Sequence, residues 1–244
     1  MSRNFSSKAT QMTSSDVRAS LGPMTPLRKI YAGSDTRKTR LHDELGTRVP
    51  LGRLLRNGPR AVLTGAARVL FGWRQELPWI SYDARKDLAR VLTPRSKVLE
   101  FGSCMSTMWY SRHAGSVVSI EDYRPWFDLV SARIGKLGNV DYRFAADRAA
   151  YVALAPDQRY DLIMIDGSHR DDCVRFALEH LAPGGIIYLD NSDKGLDETT
   201  GNIPEAQRLL LAFAEREGLP VAEFTDFAPT QLHVQRGLWI GRRP

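Results

Sequence analysis

Cysteine is scarce: Cys104 and Cys173 are the only two in 244 residues. Two thiols cannot build a disulfide framework or a four-ligand zinc site, so a reducing, cytoplasmic setting is the expectation. No apolar run nears the ~18 residues of a membrane-spanning helix, and no apolar stretch near the start reads as a secretory leader. A G-x-x-x-x-G-K-[ST] segment is missing, which removes a P-loop. The dinucleotide fingerprint G-x-G-x-x-G is represented by Gly102 alone, with Cys104 and Thr107 at its second and third positions. Those glycines let a diphosphate touch the backbone and a helix pack closely, so their loss argues against a hydride-transferring NAD enzyme.

Acid is scarce at one end only. The first 75 residues carry 14 Lys/Arg against 4 Asp/Glu, and the other 169 carry 20 against 24. The basic balance therefore belongs to the N-terminal third, and any nucleic-acid or anionic-membrane partner must be sought there. Residues 1–50, rich in Ser, Thr and Arg and without sustained periodicity, read as a disordered, flexible basic arm. Residues 51–95 read as a helical cap. Within it, Pro59 suits a first helical position, and Val62, Leu63, Ala66, Val69, Leu70 and Trp73 share one helical face over 59–74. Such a face packs against a domain or lies on an anionic membrane, so peripheral membrane contact through residues 51–74 is kept as an expectation.

From residue 97 strands and helices alternate: strands near 98–101, 116–120, 142–145, 161–165 and 186–189, helices near 107–113, 125–137, 172–181 and 204–217, then strands at 221–227 and 238–241. The alternation predicts an α/β, doubly wound, mostly parallel sheet with helices on both faces over 96–244. Ligands in such sheets bind where strands end. Five strands each deliver an acid to that edge: Glu100, Glu121 (followed by Asp122), Asp147, Asp166 and Asp190. One Asp there is an ordinary helix cap; five together point to a shared ligand site.

The run VLEFGSCMSTMWY resembles the first motif of class I S-adenosylmethionine-dependent methyltransferases of the E-x-G-S-G-x-S-T type, and the likeness continues through VVSIED, YDLIMIDGSH and LAPGGIIYLDNSD over residues 78–244. It implies a seven-stranded, Rossmann-like sheet with the last strand antiparallel, and S-adenosylmethionine as cofactor. By this resemblance Gly102 and Ser103 pass beside the methionine moiety and Glu100 holds its ammonium end. Ser106 and Thr107 offer donors to its carboxylate, Glu121 takes the ribose diol and Asp147 meets the adenine amino group, with Asp166 at the same edge. Cys104 stands where the family usually has a second glycine; a positive φ there would cost a side chain ~1–2 kcal/mol.

Where base-amine methylases carry N/D-P-P-F/Y, this chain has Asp166-Gly167-Ser168-His169. That disfavours nucleic acid and favours a hydroxyl on a small or sugar-like acceptor. Asp166, Asp190 and Asn191 resemble the oxygen ligands of cation-dependent O-methyltransferases and suit Mg²⁺. Asp193 is a weaker metal or substrate contact. Asp166 and His169 are the catalytic candidates, His169 as general base. The other reading of the chain is a catalytically silent module that docks to a membrane or partner through its basic third. Oligomeric state is not legible.

Overall fold

The computed structural model describes residues 36–135, 137–153 and 155–244. Helices α1 (Leu51–Phe71) and α2 (Tyr82–Val91) precede the sheet. Then come β1 (Lys97–Phe101), α3 (Met105–His113), β2 (Ser116–Glu121), α4 (Arg124–Ile134), β3 (Val140–Phe144), α5 (Arg148–Ala153), β4 (Tyr160–Ile165), α6 (Arg170–His180) and β5 (Leu181–Leu189). A two-stranded ribbon, β6 (Leu196–Asp197) and β7 (Gly201–Asn202), leads into α7 (Ile203–Glu217), β8 (Val221–Phe227) and β9 (Val234–Ile240).

Seven strands form one sheet in the order β3-β2-β1-β4-β5-β9-β8. The first five are parallel, and β9 runs antiparallel to both β5 and β8. The chain starts in the middle of the sheet, winds outward through β2 and β3, and returns to β4. The reversal of strand order thus falls between β1 and β4, where a crevice opens beyond the strand ends.

Both faces of the sheet are covered, which is why β1 and β4 read as unbroken apolar runs. Leu99, Phe101, Ile163 and Ile165 point to a core shared with Tyr151, Val174 and Leu210 from α5, α6 and α7. Val98, Leu162 and Met164 point the other way, to Leu88 and Trp109 from α2 and α3. Helix ends follow local chemistry: Asn202 accepts the Glu205 N–H at 3.1 Å to start α7, and Gly218, at φ +63°, stops it.

Two expectations need correction. The arm does not extend to residue 50. Residues 36–49 lie across β9: the Val234 N–H donates to the Arg40 carbonyl at 2.9 Å, and buried Asp43 accepts from the Arg236 guanidinium at 2.9 Å. Residues 1–35 lie outside the described residues. Helix α1 starts at Leu51, not at Pro59, which sits inside it. The early turns are held by partners distant in sequence: Asn57 Nδ2 donates to Asp226 Oδ2 at 2.7 Å, and Arg53 and Arg56 both reach Asp83, at 2.9 and 2.8 Å. These contacts offset the N–H that Pro59 lacks, and Pro59 itself is exposed. Of the two placements left open for the apolar stripe of α1, the structure has the outward one: the helix meets the sheet through Asn57, Gly58, Ala61 and Gly65.

Candidate active site at the carboxyl edge of the sheet

Backbone hydrogen bonds bring the strand ends level. Gly102 N–H donates to Ile120 O, Asp166 N–H to Phe101 O and Asp190 N–H to Ile165 O, at 2.9, 2.9 and 3.0 Å. At the crevice the loops after β1 and β4 touch through glycines. Gly102 has φ +91°, and a Cβ there would stand 2.3 Å from the Gly167 Cα; a Cβ on Gly167 would stand 2.0 Å from the Tyr151 hydroxyl. The crevice floor is therefore backbone on backbone, and Gly167 belongs to it as much as Gly102. Sequence reasoning passed over Gly167, although the glycine directly after a strand-end acid was the available signal.

Cys104 resolves the doubt about the second-glycine position. Its φ is −162°, ordinary extended backbone, and its thiol accepts the Ser106 N–H at 3.4 Å as the cap of α3. No backbone strain attaches to the side chain, and burial pushes the thiol's pKa up.

Glu100 is fully buried and accepts three hydroxyls: Ser106 Oγ, Thr107 Oγ1 at 2.6 Å and Ser119 Oγ at 2.7 Å. The Ser106 and Thr107 hydroxyls, expected to face a ligand carboxylate, are thus engaged with Glu100 and tie the first turn of α3 to β1. Burial outweighs these bonds and raises the Glu100 pKa to about 7. The folded state therefore binds a proton that the unfolded chain releases near pH 4.5. The contribution of this group to stability is full below that pH and falls as pH rises toward 7. Thermal unfolding of the wild type should shift upward as pH is lowered from 8 toward 5.5, and Glu100→Gln should flatten that part of the profile. A Glu100→Gln profile parallel to wild type would refute the assignment.

Glu121, almost completely buried, accepts the Ser103 N–H and Oγ–H on one oxygen, at 3.0 and 2.7 Å. Its other oxygen takes the Tyr123 and Asp122 N–H groups, at 2.8 and 3.1 Å. Burial raises its pKa. Four donors fill roughly the four lone-pair positions of a carboxylate, so a diol reaches Glu121 by displacing the Ser103 hydroxyl. That hydroxyl has a second partner in Tyr142 at 2.6 Å. Ser103 is fixed further by Trp126, whose indole N–H donates to the Ser103 carbonyl at 2.6 Å. Asp147 is exposed and accepts the Ala150 N–H at 2.9 Å at the start of α5.

Asp166 and Asp190 end the neighbouring strands β4 and β5 and share a hydrogen bond. Burial raises the pKa of both, and the nearby Asp166 charge raises that of Asp190 further. Two close carboxyls that resist simultaneous ionisation behave as one proton-sharing unit. Asp190 is buried, while the Asp166 side chain keeps 23% of its surface open at the rim. Two residues not singled out from the sequence frame this pair. Arg170, buried on α6, donates to Gly167 O at 2.8 Å, to Asp166 O at 3.0 Å and to the Asp190 carbonyl. Gln235, on β9, donates to both Asp190 oxygens, at 3.1 and 3.2 Å. Neither position has a sequence signature, because only the return of β9 beside β5 brings Gln235 to the rim.

These donors bear on the expected Mg²⁺ ligands. Gln235 Nε2 occupies both Asp190 oxygens, and the Arg170 cation lies beside Asp166 at 3.4 Å. Among the described residues no group of three His, Cys, Asp or Glu side chains is placed to hold a metal. At Asp166, Asp190 and Asn191 a cation would compete with Gln235 for Asp190 and with the Arg170 guanidinium for Asp166. Asp193 serves the fold: its oxygens accept the Glu44 N–H at 2.9 Å and the Arg236 N–H at 3.3 Å. His169 and Asn191 have φ +48° and +45°. Left-handed backbone costs a non-glycine residue on the order of 1 kcal/mol and clusters at functional sites. The His169 ring lies edge-on to Tyr151, centroids 5.9 Å apart, with Nδ1 buried and unpartnered.

No protein-family model matches the chain, and no curated protein matches it. Solved structures do. The O-methyltransferase TomG from Streptomyces achromogenes, involved in tomaymycin synthesis and solved with SAM, aligns over 78% of this chain and 95% of its own, at 17% identity and TM-score 0.52. Cofactor-bound Rv0187 from MTB aligns over 76% and 89%, at 19% identity and TM-score 0.52. An O-methyltransferase from Bacillus cereus, solved with SAH, aligns over 80% and 92%, at 18% identity and TM-score 0.52. With the strand order and the antiparallel β9 described above, these likenesses place the chain in the class I methyltransferase fold.

Proposed function

We propose that the chain is an S-adenosylmethionine-dependent O-methyltransferase acting on a hydroxyl of a small or sugar-like molecule. The observation that carries the reading is the acidic rim, with Glu100, Glu121, Asp147, Asp166 and Asp190 ending successive strands around the Gly102–Gly167 contact. A sulfonium nucleoside without phosphate suits such a rim. The flat glycine contact, which a single Cβ would fill, suits a ligand laid against backbone. SAM and SAH occupy the TomG and Bacillus cereus enzymes of the same fold.

In this reading Glu121 binds the ribose diol, Asp147 meets the adenine amino group, and the loop Gly102–Cys104 flanks the methionine moiety. S-adenosylmethionine, when bound, supplies an electrophilic methyl on its sulfonium. Holding the acceptor oxygen in line with that methyl is the main contribution of the protein. Asp166, the open member of the carboxyl pair, takes the proton of the acceptor hydroxyl, and the burial that raises its pKa strengthens it as a base. Asp190, held by Gln235 and Arg170, fixes its position. His169 is the alternative base, favoured by its strained backbone at the same rim.

The test is saturable binding of labelled S-adenosylmethionine by the full chain, followed by a screen of acceptor hydroxyls. No saturable binding would sink the proposal. With an acceptor found, Asp166→Asn should remove turnover and leave cofactor affinity unchanged; the same loss in His169→Gln alone would move the base to His169. Turnover should survive EDTA, because Asp190 is engaged by N–H donors. Loss in EDTA restored by Mg²⁺ would place a cation at Asp166, Asp190 and Asn191 instead.

A further inference from the structure

Helix α1 presents two unlike faces. One, carrying Asn57, Ala61 and Gly65, is buried on β8 and the β8–β9 turn. The other carries Leu51, Leu55, Val62, Val69 and Leu70 at helical spacing, each between 60% and 80% exposed. Phe71, 80% exposed, and Trp73 extend it past the helix end. Single exposed apolar side chains are ordinary, but a continuous stripe more than five helical turns long marks an interaction surface.

The charges beside the stripe are of one sign. Residues 51–74 hold five arginines and no acid. Arg53 and Arg56 share Asp83; Arg60 is exposed on the helix. At the C-terminal end of α1, Phe71 and Trp73 form one wall of an open groove of about 960 Å³ that also holds Arg74, Arg112 and Arg133. Glu76 is the one acid lining it, and it pairs with Arg112 and Arg133. Three guanidinium groups against one carboxylate leave the groove cationic.

We propose that α1 and this groove form a docking surface for an anionic lipid bilayer. The helix lies in the interface plane with its leucine and valine stripe among the acyl chains, while Arg60 and the groove arginines meet headgroup phosphates. Charge complementarity selects this occupant. A second copy of the chain would set arginine-rich faces against each other. Residues 1–35 carry five Lys/Arg against two Asp/Glu, so they too share the sign of the surface.

The test is co-sedimentation of the full chain with phosphatidylcholine vesicles, with and without about one-third phosphatidylglycerol. Binding should be at least about tenfold stronger to the anionic vesicles and should weaken as salt is raised. Val69→Glu/Phe71→Glu, at exposed positions, should abolish binding while leaving the unfolding midpoint unchanged. Arg60→Glu/Arg74→Glu should remove the preference for phosphatidylglycerol. Equal binding to both vesicle types, or full binding by the Val69→Glu/Phe71→Glu variant, would overturn the proposal. A chain that ignores vesicles but is dimeric by sedimentation, and becomes monomeric in the same variant, would assign the face to a second copy instead.

Discussion

In Glu121→Ala, affinity for S-adenosylmethionine is expected to fall about 100-fold or more, read by equilibrium dialysis with labelled cofactor. Hydrogen bonds to a charged group are worth about 1.5–3 kcal/mol each, up to about 100-fold for the one ribose hydroxyl that takes the Ser103 hydroxyl's place, and the second hydroxyl of the diol loses its nearby acceptor as well. The variant also frees the Ser103 N–H and hydroxyl and the Tyr123 N–H, which now donate to Glu121. A melting curve must therefore accompany the binding curve. Ser103→Ala separates the two effects: it leaves the carboxylate in place and removes the hydroxyl that a diol must displace, so affinity should hold or improve. Unchanged affinity in a folded Glu121→Ala protein would show that the diol, if bound at all, lies elsewhere.

Gly102→Ala should be the most damaging single-methyl change in the rim. A positive φ costs an L-residue about 1–2 kcal/mol, and forcing a methyl into packed atoms costs about 1–3 kcal/mol more. The obstacle is the Gly167 backbone, which cannot swing aside as a side chain would. A total of about 3 kcal/mol corresponds to a melting point lowered by about 6–12 °C for a domain of this size. Cofactor binding should be lost as well, because the methyl would pry apart the contact against which the ligand lies. Gly138→Ala, at a glycine with open space around it, is the matched control and should change neither quantity. A Gly102→Ala protein as stable as wild type would refute the close approach.

The sheet was legible because its signals are local and redundant. Unbroken apolar runs such as Leu162–Ile165 can only be strands covered on both sides, and each is followed by a helix pattern and a strand-end acid. The acids themselves were found for the same reason. What they touch was not legible. Glu100 reads as a ligand contact in one dimension, yet Ser106, Thr107 and Ser119 close around it in three. The metal expectation rested on three residue types in the right order; Gln235, distant in sequence, donates to both Asp190 oxygens, and the Arg170 guanidinium stands beside Asp166. The orientation of α1 was not legible because an apolar stripe suits an inner or an outer face. Here the inner face is built from small residues and one amide, and Asn57 answers the buried carboxyl of Asp226. Cys104 shows the opposite error: a departure from a motif looked like strain, but the backbone at that position is extended and the sulfur is a cap.

Asp43, Arg236 and Asp193 draw the outline of the smallest unit able to stand alone. A fragment beginning at Leu51 would keep every helix among the described residues and every strand of the main sheet. It would also leave the Arg236 guanidinium, nearly enclosed by protein, stripped of Asp43 and facing only the exposed Glu223, and it would take from Asp193 its Arg37 and Glu44 contacts. An enclosed charge without its counterpart is among the costliest defects a fold can carry. Residues 36–50 are thus counter-ions to the fold, and trimming at Leu51 would cut through the molecule's own electrostatic seam.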